Sequence, residues 1–195
     1  DWNAYVFNFN NFDASSFPIP PSFVGYATKA VLVLEFSPTI ISLILAGKVG
    51  SYIASSIGTM RVSEQIDALD IMGVNSPNFL ILPKILACMI FNPLLIAISI
   101  VFGIGGGYLA GMLTGNWTEA DYISGIQMYM PNLFIYYAFT KTTVFAFIIA
   151  TVPSYFGYFV KGGSLEVGRA STQAVVWTMV FIIISELILT QLILS

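Results

Sequence analysis

Charged residues, cysteine and histidine are scarce in this sequence. Lys, Arg, Asp and Glu make up 9% of the 195 residues, the formal net charge is −3, and there is one cysteine, Cys88, and no histidine. A single chain with this inventory cannot form a disulfide framework or a Cys/His metal site, so we expect no metal and no other cofactor. The few Lys and Arg residues form no cluster, which argues against nucleic acid as a partner and against a polybasic lipid-binding segment.

Apolar side chains, by contrast, are abundant. They account for 57% of the residues, and the mean hydropathy is +0.85, which is more apolar surface than a soluble domain of this size can bury. In a bilayer every backbone donor and acceptor must be paired within the protein, and the apolar runs reach the ~20 residues that a spanning helix needs. The composition therefore predicts an all-α integral membrane protein, a polytopic helical bundle.

The apolar runs predict four spans, at about residues 24–56, 80–113, 131–160 and 171–194. Pro38 is expected to kink the first span, and Asn92-Pro93 is expected to interrupt the second. The second span also carries glycines at four-residue steps, Gly103, Gly107 and Gly111. Such a stripe would let another backbone approach closely.

Residues 1–22 are rich in Asn, Phe, Ser and Pro and show no helical periodicity. We interpret them as an extracytoplasmic connector that precedes a transmembrane domain of residues 23–195. The chain begins at Asp1 without an initiating Met, and its start has neither the basic nor the apolar region of a signal peptide. We therefore expect the natural protein to extend further at its N-terminus.

The distribution of Lys and Arg predicts the orientation in the membrane. Arg61 and Lys84 flank the first loop and Lys161 and Arg169 flank the third, whereas the second loop, at about residues 114–130, contains neither residue type. The positive-inside rule places the first and third loops in the cytoplasm. Residues 1–22 and the C-terminus are then expected outside.

The first loop contains the pattern of a short helix at residues 63–73. Ser63 suits the N-cap, and Gly73 suits the left-handed position after the last turn. Apolar side chains recur at helical spacing at Val62, Ile66 and Leu69, and acidic side chains form another side at Glu64, Asp67 and Asp70. Such a helix can insert its apolar side into a partner's groove and pair its acids with basic residues there. It can equally lie on the membrane with its acids solvated, and the pattern alone leaves both interpretations open.

Several segments together resemble a known family. They are residues 35–39 (EFSPT), 45–51 (LAGKVGS), 57–69 (IGTMRVSEQIDAL) and 82–84 (LPK). The sequence from about residue 24 to residue 194 is similar to the MlaE (YrbE) family of ABC permeases, most specifically at residues 46–69.

The resemblance implies a function and a set of partners. It implies the permease subunit of an ABC transporter, multi-pass in the bacterial inner membrane, that moves phospholipid or a related lipid between inner and outer membranes. The implied partners are an ATPase subunit, an MCE-domain lipid-binding protein, membrane lipid and a second copy of the chain. It also implies an N-terminal interfacial helix and a further span, which we do not find in this sequence.

The resemblance assigns two groups of residues. The short helix of the first loop becomes the cytoplasmic coupling helix seated on the ATPase, with Arg61, Glu64, Gln65, Ile66, Asp67, Leu69 and Asp70 as its contact residues. Leu34, Glu35 and Phe36 become residues of the lipid cavity in the dimer.

Three ionisable residues fall within the predicted spans: Glu35, Lys141 and Glu186. A charge in hydrocarbon is costly and should face a partner, a cavity or water. Their signs predict that Lys141 pairs with Glu35 or Glu186. Glu35 could line a lipid cavity, belong to a structural ion pair, or lie close enough to the outer interface to be hydrated.

The chain contains no Gly-rich nucleotide-binding motif ending in Gly-Lys-Ser/Thr, so we expect a transport subunit without an enzymatic site, driven by a separate ATPase. One alternative is an ion-coupled secondary transporter that uses the three intramembrane charges as a relay. Another is an intramembrane hydrolase with Lys141 as the base for Ser154 or Ser185.

Overall fold

The structure is a computed structural model that describes residues 22–115 and 117–194, without the side chain of Leu194. Residues 1–21, nearly all of the predicted connector, lie outside the described residues. Four helices within the described part are long and apolar enough to cross a membrane: Phe23–Val62, Ser76–Thr114, Asn132–Tyr158 and Ser164–Ile193. The predicted all-α class and the four predicted spans are confirmed.

The first span changes its helical geometry twice along its length. It consists of α1 (Phe23–Val31), α2 (Ile41–Leu45) and α3 (Ser51–Val62), joined by π-helical segments at Leu32–Ile40 and Ala46–Gly50. Pro38 lies in the first π-helical segment. A proline inside an α-helix lacks a donor and clashes with the carbonyl four residues earlier, and the i→i+5 bonding of a π-helix alters that pattern. Pro38, where we expected a kink, thus lies in a locally widened stretch of the helix.

The remaining helices are α4 (Gln65–Ile71), α5 (Ser76–Leu80), α6 (Leu82–Thr114), α7 (Glu119–Gln127), α8 (Asn132–Tyr158) and α9 (Ser164–Leu194). The predicted interruption at Asn92-Pro93 is wrong, because α6 runs through Pro93. The buried Asn92 side chain donates to the carbonyl of Thr142 on α8 at 3.0 Å. This bond ties the second span to the third beside the proline.

The third span, α8, lies at the centre of the bundle. It packs against α3, α6 and α9, and a core of Ala46, Phe145, Ile149 and Ile182 joins it to the first and fourth spans. Because α8 is covered on several sides, polar groups on it must find partners within the protein. It is therefore the span on which an ionisable side chain is most strongly constrained.

The glycine stripe of α6 packs against side chains, whereas we expected it to pack against the backbone of another helix. A Cβ at Gly103, Gly107 or Gly111 would meet the side chains of Leu32, Tyr122 and Trp117 respectively. Close backbone approach occurs instead where α1 crosses α7. A Cβ on Gly125 would clash with the carbonyl oxygen of Ser22, and one on Gly25 would clash with that of Tyr122.

Helix α7, which sequence analysis assigned to a loop, is built into the bundle. Lys29 of α1 donates to the carbonyls of Ile126 and Met128 at its C-terminal end, at 2.8 and 2.6 Å. Tyr122 is fully buried and donates to the carbonyl of Ile104 at 2.9 Å, and burial raises the pKa of its phenol. Tyr122 is therefore part of the core of the bundle.

Candidate functional site

The three intramembrane charges meet in one cluster, which we call the charged triad (Glu35, Lys141 and Glu186). Lys141 Nζ lies 2.8 Å from Glu35 Oε2 and 2.5 Å from Glu186 Oε1. The three side chains come from the first π-helical segment, α8 and α9. Lys141 thus pairs with both carboxylates, where the signs alone predicted one or the other.

Hydrogen bonds from neutral groups surround the charged triad. Lys141 Nζ also donates to the carbonyl of Leu34 at 2.9 Å and to the hydroxyl of Tyr137 at 3.3 Å. The Tyr137 hydroxyl donates to Glu35 Oε1 at 3.2 Å, and Thr39 donates to Glu186 Oε2 at 3.2 Å. An ammonium group has three protons, so these acceptors use all of the donors of Lys141.

The members of the charged triad differ in their exposure. The Lys141 side chain is 0% exposed, whereas the side chains of Glu35 and Glu186 are 49% and 19% exposed. With one ammonium group and two carboxylates, the cluster carries one excess negative charge when all three are ionised. The surface that it presents is therefore made of carboxylate oxygens, with the cation behind them.

The predicted cavity residues do not all line one space. Leu34 is half-buried and contributes its carbonyl to Lys141, and Glu35 presents its carboxylate at the surface. Phe36 is 54% exposed and lines an open groove of about 410 Å³ with Ala27, Thr28, Val31, Leu32 and Gly103. The groove and the charged triad lie on the same stretch of the first span.

The hydrolase interpretation of Lys141 is wrong. The Ser154 hydroxyl donates to the carbonyl of Ala150, and the Ser185 hydroxyl to that of Phe181, each within its own helix. Lys141 Nζ donates instead to Glu35, Glu186, the Leu34 carbonyl and the Tyr137 hydroxyl, and neither serine is among its hydrogen-bond partners.

The helix of the first loop is shorter than predicted. It spans Gln65–Ile71, and Gly73 has the expected left-handed conformation with φ +77°. Ser63 is not its N-cap, because the Ser63 hydroxyl donates to the carbonyl of Thr59, 2.8 Å away in α3. Glu64 occupies the N-cap position at φ +59°. This conformation is costly for a residue with a side chain, and it turns the chain sharply from α3 into α4.

Helix α4 is fastened to the bundle by one face. Ile66 is 0% exposed and packs in a cluster with Ile53 and Ile57 of the first span. Arg61 donates to Asp67 at 2.6 Å and lies over the ring of Tyr158. Ile66 therefore cannot insert into a partner, and the expected insertion of the apolar stripe is corrected to intramolecular packing.

The other face of α4 is open. Glu64, Gln65, Asp67 and Asp70 are exposed and Leu69 is half-buried, while the apolar residues Ile71 and Met72 that follow are 87% and 68% exposed. We call Glu64, Gln65, Asp67, Asp70, Ile71 and Met72 the α4 surface. The sequence pattern identified its acids but not Ile71 or Met72, which lie outside the apolar stripe.

The neutral members of the site and Lys29 were not predicted from the sequence. Tyr137 precedes Lys141 by one helical turn, and Thr190, whose hydroxyl lies 2.8 Å from that of Tyr137, follows Glu186 by one, so i, i+4 spacing from each charge would have indicated both. Thr39 bears the same relation to Glu35. The role of Lys29 had no such local signal, because its acceptors are carbonyls of α7.

These features define a multi-pass α-helical membrane protein with a charged triad inside the bundle and a short helix fastened between the first two spans. The family model described as Permease MlaE matches residues 6–192. The chain belongs to the MlaE permease family, as the resemblance of residues 46–69 indicated.

Relatives with related sequences occur in bacteria and in a plant. A probable ABC transporter permease protein of Rickettsia bellii is 39% identical over 168 residues, which cover 85% of this chain and 65% of the relative. One of Rickettsia conorii is 36% identical over 191 residues, covering 97% and 70%. Protein trigalactosyldiacylglycerol 1, chloroplastic, of Arabidopsis thaliana is 32% identical over 175 residues, covering 86% and 48%. The chain thus spans about two thirds of the length of the two rickettsial proteins.

Proposed function

We propose that this chain is part of the transmembrane permease subunit of an ABC transporter in the bacterial inner membrane. The transporter moves phospholipid or a related lipid between the inner and outer membranes. A separate ATPase supplies the energy, an MCE-domain protein exchanges lipid with the permease, and a second copy of the chain completes the membrane part. Membership of the MlaE permease family, with rickettsial relatives named as probable ABC transporter permeases, supports this assignment.

The observation that carries the proposal is the α4 surface. Its acids are exposed and, apart from the Arg61–Asp67 contact, no salt bridge to them occurs within the described residues. Asp70 lies near the negative end of the helix dipole, where a basic group from outside would stabilise it. Exposed apolar side chains beside a row of acids suit a protein partner with a basic groove. We assign the α4 surface to the ATPase, on the cytoplasmic side.

Movement of α4 reaches the charged triad through one continuous span. Ile66 packs on Ile53 and Ile57 of α3, and α3 continues through both π-helical segments to Glu35. Closure of the ATPase pair on ATP would therefore displace the first span, and with it the surface that Glu35 and Phe36 present. In the dimer this displacement would narrow the lipid cavity and expel lipid towards the MCE-domain partner.

Two observations favour lipid as the cargo. The groove at Phe36 is lined largely by apolar side chains, and the preceding residue, Glu35, belongs to the polar charged triad. The first span thus presents both apolar and polar surface, as a molecule with acyl chains and a headgroup requires. The Arabidopsis relative is named after trigalactosyldiacylglycerol, a glycerolipid.

The docking role of α4 can be tested by charge reversal at Asp70. Asp70→Lys, purified from cells with the ATPase, should bind it about tenfold more weakly, because an attractive contact becomes repulsive. Glu119→Lys is the matched control, since Glu119 is an exposed acid on α7 and should retain wild-type binding. Unchanged ATPase binding and unchanged lipid-stimulated ATP hydrolysis in Asp70→Lys would refute the docking role.

An ion-coupled secondary transporter is the second candidate function, and one observation favours it: the relay that it needs is present as the charged triad. It predicts lipid or solute movement driven by a proton or sodium gradient in proteoliposomes that contain no ATPase. Transport that requires ATP and ignores both gradients would exclude it.

A further inference from the structure

The charged triad is asymmetric in a way that indicates which headgroup it can accept. Lys141 is completely buried, and its protons are taken up by two carboxylates, a carbonyl and a hydroxyl. A lipid phosphate approaching from outside would meet the Glu35 carboxylate before it could reach the ammonium group. The only cation of the cluster is therefore unavailable to an anionic ligand in this conformation.

The accessible groups of the charged triad are carboxylate oxygens, which accept hydrogen bonds. Glu35 is 49% exposed, and two carboxylates share one ammonium group. The side chains that bond to this cluster are hydroxyl groups and add no charge: Tyr137 donates to Glu35, Thr39 donates to Glu186, and Thr190 bonds to Tyr137. Lys141, which binds both carboxyl groups, lies about 14 Å from the start of α8, at a helical rise of ~1.5 Å per residue. In a low-dielectric environment an exposed carboxylate at this depth attracts a cation strongly.

We propose that the charged triad selects lipids whose headgroup carries an ammonium group, and that this ammonium binds the exposed carboxylate of Glu35. Lys141 holds the two carboxylates in place and does not bind phosphate. This inference rests on the proposed lipid-transport function and adds the headgroup class of the cargo.

The test uses the complete transporter, with its ATPase and MCE-domain partner, in nanodiscs of equimolar phosphatidylethanolamine and phosphatidylglycerol with identical acyl chains. Bound lipid is extracted after removal from the nanodiscs and quantified by mass spectrometry. Wild type should be enriched in phosphatidylethanolamine by about tenfold, which corresponds to ~1.4 kcal/mol. Glu35→Gln removes the exposed carboxylate, and Glu186→Gln leaves the Lys141 ammonium group to Glu35 alone, so each should reduce the enrichment to about twofold or less. Glu119→Gln, the same change on α7, should leave it unchanged.

A second comparison needs no substitution in the protein. Replacing phosphatidylethanolamine by its N-acetylated form removes the ammonium group and keeps the rest of the lipid. Wild type should then lose its enrichment, and this result decides the question if a triad variant fails to assemble. Free ethanolamine in large excess should not displace the bound lipid, and displacement would show a site for soluble amines instead.

The outcomes separate this inference from the proposed function. Bound lipid with the same composition in wild type, Glu35→Gln and Glu186→Gln would overturn the headgroup assignment and leave lipid transport intact. Enrichment of phosphatidylglycerol in wild type would overturn it as well. A wild-type complex that carries no lipid and transfers none in an ATP-dependent way would overturn both.

Discussion

Replacing Lys141 by methionine should strongly destabilise the protein. Methionine keeps the bulk of the side chain and removes the ammonium group that lies 2.5 Å from Glu186 and 2.8 Å from Glu35. Removing one partner of a fully buried ion pair typically costs about 3–5 kcal/mol, because it leaves an uncompensated charge. Glu35 is 49% exposed, so the protein encloses this ion pair only in part, and we expect a smaller loss of about 2–4 kcal/mol.

The thermal unfolding midpoint in detergent measures the effect. For a chain of this length each kcal/mol corresponds to ~2–4 °C, so Lys141→Met should lower the midpoint by roughly 5–15 °C. Lys161→Met is the matched control, because Lys161 is exposed at the end of the third span. It should change stability by less than about 0.5 kcal/mol.

A double variant tests the reason for the loss. Lys141→Met with Glu186→Gln removes the more buried carboxylate together with the cation, and it should recover at least about half of the lost stability. If Lys141→Met unfolds at the same temperature as Lys161→Met, or if the double variant recovers nothing, the charged triad is not the stabilising unit described above.

Three further predictions concern packing, and thermal unfolding in detergent checks each of them. Gly125→Ala should lower the free energy of unfolding by about 1–3 kcal/mol, because the new methyl group forces α1 and α7 apart. Gly106→Ala, whose Cβ would meet no atom within 4 Å, should leave it unchanged or raise it by up to ~1 kcal/mol. Ile66→Ala should lower the free energy of unfolding by about 2–4 kcal/mol and expose the α3–α4 connection to protease. Its control, Ile71→Ala, at an 87% exposed position, should have neither effect. Tyr137→Phe should cost about 1–3 kcal/mol through its lost hydrogen bonds to the charged triad, and no loss at all would contradict its place there.

The spans could be predicted from the sequence because hydropathy is a local property. Each of the four apolar runs appears as a spanning helix, and the left-handed Gly73 also appears as predicted. The predicted start of α4 was wrong because two local preferences compete at Ser63. Its hydroxyl can cap the helix that follows or bond back to the helix that precedes, and α3 continues far enough to take it.

Tertiary partners were the part that sequence could not supply. The signs of the charges predicted an ion pair, but only the packing of three spans brings two carboxylates to one ammonium group. Likewise the spacing of the glycines on α6 identified a close-packed face, whereas its occupants, side chains of Leu32, Tyr122 and Trp117, depend on how α1 and α7 fold over it. The periodicity of residues 62–69 predicted an apolar face on α4, and only the sharp turn at Glu64 directs Ile66 inward.

The crossing of α1 and α7 has a practical consequence for mapping the topology of this protein with reporter fusions. Its two glycines and the bonds from Lys29 leave no room for an inserted tag within α7. By contrast, a side chain at Gly163, in the exposed turn between α8 and α9, would meet no atom within 4 Å. A fusion at Gly163 should report the native orientation, whereas one inside α7 would report on a damaged bundle, however loop-like that segment looks in a hydropathy profile.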